Sequence, residues 1–290
     1  MTESFENGSA HLDDAPRLSS LEQLPSLHVA RTRSITAPRT ADSLAAQQTL
    51  ETAIPRILSQ DMDLLGYRKM QRIILSNDRL FDTEEQYEEY LDALLAELER
   101  APEAKLQGSR RLADFKTQVL VTVQYTFRHI KRLVDRSSTM EIGRFSYRIV
   151  KALIRARVHY DKSCHLALDL PDTAMEVIGV ADQVEVVDTL VIMMTEEELN
   201  ARSLCMGLNL LTTVLRHMNT ERNRLPHELV DKIGEPVSKY LTSNRVGLRQ
   251  AATEVCVQLR KMVGDEEEFW QVLREPTENT RRLLTYYLAR

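Results

Sequence analysis

The spacing of apolar residues predicts helices arranged in pairs from residue 43 to residue 290. The clearest pair lies between Glu235 and Met262, where two helical stretches flank a short polar turn. In the second stretch apolar residues recur at intervals of three and four, so they share one helix face: Leu248, Ala252, Val255, Leu259 and Met262. Such a hairpin buries that face only against equivalent neighbours. We therefore expect similar pairs before and after it.

Amphipathic stretches of the same kind fill the rest of this region. Pairs of them recur roughly every 35 to 45 residues, which is typical of HEAT-like repeats. Thr83 and Thr195 begin capping-box patterns and predict helix starts, and a helix after Asp63 is expected to turn Leu65 inward. The last helix is expected to bury Leu283, Leu284, Tyr287 and Leu288. The predicted fold class is all-α, a HEAT-like α-solenoid of paired antiparallel helices.

Residues 1–42 differ from the rest of the chain in composition. Ser, Thr, Pro, Asp and Arg dominate there, and no apolar period extends over more than a few positions. This is typical of a disordered segment. The expected organisation is a disordered amino-terminal tail over 1–42 and one helical-repeat domain over 43–290.

Composition narrows the functional class only slightly. The chain is 43% hydrophobic and 28% charged, as in an ordinary soluble protein. The three cysteines lie in apolar helical patterns, so we expect them to be reduced core residues. The chain opens without a leader pattern and has no apolar run near ~18 residues. We therefore expect an intracellular, soluble protein without membrane insertion.

The distribution of charge is more informative. Between Arg110 and Lys162 there are 13 Lys and Arg against 4 Asp and Glu, a net charge of +9. The whole chain carries −5, so the residues outside this window sum to −14. Such asymmetry concerns binding partners rather than the fold.

A basic stripe within this window is the candidate partner-binding site. Four cations have the spacing of one helix face: Arg144, Arg148, Lys151 and Arg155. On the preceding helix, Arg128, Lys131 and Arg132 extend the candidate patch, together with Arg136. Three interpretations stay open: a dock for an acidic protein surface such as that of tubulin, a solvated face balanced by nearby glutamates, or a nucleic-acid surface. The neighbouring aromatic residues suit packing rather than base stacking, which disfavours nucleic acid.

No arrangement of residues indicates catalysis. A glycine-rich phosphate loop, a nucleophile elbow and a nucleophile beside a base are all missing from the sequence. His159 and His165 flank Cys164, but two further zinc ligands at suitable spacing are lacking. Thr52-Ala53-Ile54-Pro55 resembles the peptide that end-binding proteins recognise, although it lies in a predicted helix. We predict no enzyme activity, metal or cofactor.

Several phrases of the chain resemble the cytoplasmic linker-associated proteins (CLASPs) in their fungal form. These are AIPRILSQDMDLLGYRKMQRIILSNDRLF at 53–81, RLADFKTQVLVTVQ at 111–124, RVHYDKSCHLALDL at 157–170, and RQAATEVCVQLRKMVGDEEEFWQVL through TRRLLTYYLAR at the end. The resemblance covers 43–290 and matches the family's carboxy-terminal region. It implies a TOG-like helical domain of a microtubule-stabilising protein in the cytoplasm, cytoskeleton, nucleus and mitotic spindle.

In that family this domain mainly recruits partners, among them plus-end linkers, kinetochore motors and cortical anchors. The amino-terminal TOG domains and the Ser/Arg-rich stretch of longer members are not in this chain. By this resemblance the chain is either a fragment-length member or a reduced one that acts as an adaptor. The implied partners are tubulin, microtubules, or plus-end and kinetochore proteins, and dimerisation stays open. The competing hypothesis is a helical-repeat scaffold for a phosphatase, kinase or transport complex.

Overall fold

The computed structural model describes residues 41–78, 80–81, 83–102, 109–134, 142–160, 164–274 and 276–289. These ranges contain α-helices and no β-strand, which confirms the predicted all-α class. The predicted tail, 1–42, falls almost wholly outside the described residues. Its last two residues, Ala41 and Asp42, belong to the first helix, which therefore begins two residues before the predicted start at Ser43.

The described residues form twelve α-helices, with one short 3-10 turn, Arg157–His159, after the fifth. They are α1 Ala41–Leu58, α2 Leu64–Ser76, α3 Glu84–Glu99, α4 Arg110–Val134, α5 Ile142–Ala156, α6 Leu166–Ile178, α7 Gln183–Met194, α8 Ala201–Glu221, α9 His227–Leu241, α10 Val246–Val263, α11 Glu266–Val272 and α12 Glu278–Leu288.

These helices form two layers. Each odd-numbered helix packs against the next odd-numbered one, from α1 to α11, and the even-numbered helices follow one another in the same way from α2 to α12. Apolar side chains from both layers meet in one continuous core. Five consecutive pairs, from α1 with α2 to α9 with α10, are in contact and form the predicted helical repeats, and α11 and α12 pack on α9 and α10 at the end of the stack.

Polar side chains fix several helix starts. The carboxylate of Asp63 accepts a hydrogen bond from the Gly66 amide, and the Thr83 hydroxyl accepts one from Gln86, as capping requires. The predicted start at Thr195 is wrong. Its hydroxyl donates to the Ile192 carbonyl at the end of α7, and Asn200 caps α8 instead.

Two predicted inward faces are also wrong in part. In α2 the buried face holds Tyr67, Met70 and Ile74, and Leu65 lies about 200° around the helix from Tyr67. Leu65 is therefore 70% exposed rather than inward. In α12 Leu284 is buried as predicted, whereas Leu283 and Tyr287 are exposed because the helix contacts mainly α10 along a single edge.

Stability is expected to fall at acidic pH because of His129 on α4. This imidazole is buried against Phe81, and desolvation together with the nearby Arg132 charge lowers its pKa below the usual 6.5. The folded state therefore binds a proton less readily than the unfolded chain, so stability is lost as pH falls below 6.5. In urea unfolding at several pH values, we expect His129→Phe to reduce the slope by up to about 1.4 kcal/mol per pH unit. An unchanged slope would contradict this role.

Candidate partner-binding surface

The four cations of the predicted stripe lie along one side of α5, and carboxylates of α3 face them. The Arg144 guanidinium is 2.5 Å from Glu88 Oε1, and that of Arg148 is 3.3 Å from the same oxygen. Arg148 also pairs with Asp92. The solvated-face interpretation invokes nearby glutamates, and Glu88 is one of them, so two arginines of the stripe are engaged within the chain.

The far end of the stripe is paired as well. Arg155 lies 2.9 Å from Glu196, in the α7–α8 connection, and 3.9 Å from Glu99 on α3. The hydrogen bond to Glu196 raises the pKa of this guanidinium. Lys151 is half-buried and has no ion-pair partner among the described residues. The stripe therefore presents less net charge than its sequence indicates.

The α4 cations lie in the even layer, apart from the stripe on α5. Arg128 forms a two-pronged pair with Glu176 on α6, at 2.5 and 2.6 Å. This contact raises the pKa of Arg128. Lys131 and Arg132 have no ion-pair partner in the described part of the chain. Arg136 lies outside the described residues. The structure thus divides the candidate residues between two layers.

Charge is divided unequally between the two layers of helices. The even-numbered helices carry sixteen Lys and Arg against seven Asp and Glu, whereas the odd-numbered helices carry seven against seventeen. The even layer is therefore net positive and the odd layer net negative by similar amounts. The α5 stripe is the exception in its layer, which explains why acidic neighbours surround it.

Sequence reasoning missed one basic surface, on α2. This helix contains Arg68, Lys69 and Arg72 and not one Asp or Glu. All three cations are exposed. The signal was present in the sequence, because a thirteen-residue amphipathic stretch with only cationic charge is visible without the structure. This helix lies outside the window from Arg110 to Lys162, which carries the larger net charge.

The remaining candidate sites are those for a metal ion and for a membrane. Among the described residues no group of three or more His, Cys, Asp or Glu is placed to hold a metal ion. His159 instead hydrogen-bonds the Glu99 carbonyl and His165 the Thr117 hydroxyl. In the same part of the chain no helix has the length and apolar character needed to span a bilayer.

Packed helical pairs arranged in two layers define a HEAT-type helical-repeat domain. A solved chain described by the words "TOG-tubulin binding specificity promotes microtubule dynamics and mitotic spindle formation" has the same fold. It superposes with a TM-score of 0.53 at 15% identity and covers 89% of this chain and 90% of that one. The TOG-like form of the predicted fold is thereby confirmed.

The sequence is homologous to fungal Stu1 proteins, which confirms the resemblance to the fungal CLASP family. Protein stu1 of Aspergillus fumigatus is 38% identical over 267 residues, covering 91% of this chain and 19% of that protein. Protein STU1 of Coccidioides immitis is 30% identical over 263 residues, covering 90% and 20%. The chain thus spans about a fifth of the length of these relatives. No protein-family model matches it.

Proposed function

We propose that this domain is a non-enzymatic adaptor of a microtubule-associated protein, binding tubulin or plus-end and spindle partners and so stabilising microtubules. The observation that carries the proposal is the opposite charge of the two layers on a TOG-like fold, in a chain homologous to Stu1. A net positive layer suits an acidic protein such as tubulin, because complementary fields speed and orient association. Association with the cytoskeleton and mitotic spindle, kinetochore partners and a homodimer belong to the same proposal.

The proposed contact residues are the seven predicted cations, in two groups with different roles. Lys131, Arg132 and Lys151 have no ion-pair partner among the described residues, so they can meet a partner's carboxylates directly. The others would first exchange an intramolecular carboxylate for one of the partner's: Arg128, Arg144, Arg148 and Arg155. Such an exchange adds little net energy at an exposed site. We therefore expect the first group to dominate affinity.

Co-sedimentation with stabilised microtubules tests this proposal. We expect the chain to pellet with microtubules and to be released as ionic strength rises, since exposed charge pairs are screened by salt. The triple substitution Lys131→Glu, Arg132→Glu and Lys151→Glu should weaken binding by roughly tenfold or more. A matched control is Arg224→Glu, Lys239→Glu and Lys261→Glu, which changes net charge equally at residues outside the candidate site and should bind more tightly than the first variant.

Two outcomes would contradict the proposal. Failure of the chain to pellet, alone and with a plus-end partner added, removes the microtubule adaptor. Equal loss in both triple variants would mean that only net charge matters. The alternative function is a scaffold for a phosphatase, kinase or transport complex, which a helical-repeat surface also permits. It predicts partner binding that resists salt and the first triple substitution.

A further inference from the structure

The outward face of α2 combines cations with unusually exposed leucines. Leu65, Arg68, Lys69, Arg72 and Leu75 are spaced by three or four residues and so share one face of the helix. Leu65 is 70% exposed and Leu75 51%. This basic-apolar face differs from an ordinary solvated helix surface, where the apolar positions turn inward.

The cations of this face are available for a partner. None of the three forms an ion pair within the described residues, and α2 itself offers no carboxylate. The arginines of α5 differ in this respect, because they form ion pairs with Glu88, Asp92 and Glu196. A partner that contacts α2 therefore need not displace any ion pair formed among the described residues.

The position of α2 in the stack also leaves this face open. Among the described residues α2 packs on α1 and α4, whereas each inner even-numbered helix has an even-numbered neighbour on both sides. Four of the chain's exposed large apolar side chains belong to this first pair: Leu44 and Leu58 on α1, Leu65 and Leu75 on α2. Terminal pairs of helical repeats normally present a polar outer face. Leucines at this place indicate a surface that another element covers.

We propose that the α2 face docks an acidic amphipathic helix of a partner protein, which continues the stack of helices. Leu65 and Leu75 are separated by about 15 Å along the axis, at 1.5 Å per residue. A partner helix of about three turns can place apolar side chains against both leucines and carboxylates against the cations between them. This inference goes beyond the proposed function and does not require tubulin binding.

Size and charge favour a helix over a lipid surface. Stable membrane association needs a broad apolar face or a second anchor, and this face offers two leucines ten residues apart. Helix-on-helix docking instead uses a narrow row of apolar contacts flanked by charge pairs. A protein helix rich in glutamate and leucine therefore fits both the spacing and the sign of the surface.

Fluorescence anisotropy with the full chain tests the docking. The probe is a labelled peptide of about fourteen residues with leucine at every third and fourth position and glutamate elsewhere. We expect salt-sensitive binding that weakens at least tenfold in Arg68→Glu/Arg72→Glu, and also in Leu65→Ser/Leu75→Ser. Lys239→Glu/Lys261→Glu changes net charge as much as the arginine pair and should retain the probe better. All substituted side chains are exposed or half-exposed, so thermal unfolding should confirm intact variants.

The proposal is overturned by any of four results. The first is no binding of the acidic probe to the intact chain, and the second is equal binding by a peptide with lysine in place of glutamate. The third is unchanged affinity in the α2 variants. The fourth is that the same substitutions abolish binding to phosphatidylserine vesicles or self-association in sedimentation, while the probe does not bind. That last result would assign the face to a membrane or to a second copy.

Discussion

Gly234→Ala is expected to destabilise the domain by about 3 kcal/mol, because α9 and α11 approach each other at this residue. A Cβ atom at position 234 would lie 2.0 Å from the Val272 carbonyl oxygen and 2.8 Å from its carbonyl carbon. The obstacle is backbone, so α11 as a whole must move. Urea unfolding should show the loss, and hydrogen exchange should show faster opening of α11.

Gly207→Ala is the matched control within α8. No heavy atom lies within 4 Å of the position that its Cβ would take, apart from the helix's own backbone and neighbouring residues. Alanine favours helix over glycine by about 0.5–1 kcal/mol, so this variant should be more stable than the parent chain. Equal effects of the two substitutions would show that helix propensity, and not the α9–α11 contact, sets the outcome.

Lys116→Met is expected to destabilise the domain by about 3–5 kcal/mol, because it breaks a buried ion pair. Lys116 Nζ is 2.9 Å from Glu97 Oε1, and the two side chains are only 3% and 7% exposed. The ammonium also donates to the Glu97 and Arg100 carbonyls at the end of α3. Removing it leaves the Glu97 carboxylate buried with Arg100 as its remaining charged partner.

A double-mutant cycle separates the free energy of the Lys116–Glu97 ion pair from that of side-chain packing. Glu97→Gln alone should also destabilise, since burial already lowers the pKa of Lys116 and the Glu97 charge opposes that effect. In Lys116→Met/Glu97→Gln both charges are gone, and we expect the combined loss to be smaller than the sum of the two single losses by about 1 kcal/mol or more. Additive losses in urea unfolding would mean that the two groups act independently.

Local features of the fold were predictable because they depend on neighbours in the sequence. The cap at Thr83 and the buried stripe of α10 follow from patterns a few residues long. Leu65 was misplaced because the apolar residues of α2 fit more than one helix face until Tyr67 is known to be buried.

The ion pairs formed by the candidate partner-binding residues were not predictable from the sequence. Arg144 and Arg148 meet carboxylates more than fifty positions earlier in the chain, and the sequence does not say which face of α3 lies beside α5. Arg155 likewise meets a distant carboxylate, that of Glu196, 41 positions later in the chain. Helical spacing therefore places the four cations on one side of α5, but it does not determine how much of their charge is available to a partner.

The unequal charge of the two helix layers gives the folded domain an electric dipole moment directed from the odd-numbered helices towards the even-numbered ones. In the field of an acidic polymer, a molecule with such a moment experiences a torque before any atoms touch. At physiological salt this torque acts over about 8 Å, the Debye length. A domain with this moment would present its cationic side first to an anionic surface, and its orientation would be selected during diffusion rather than after collision.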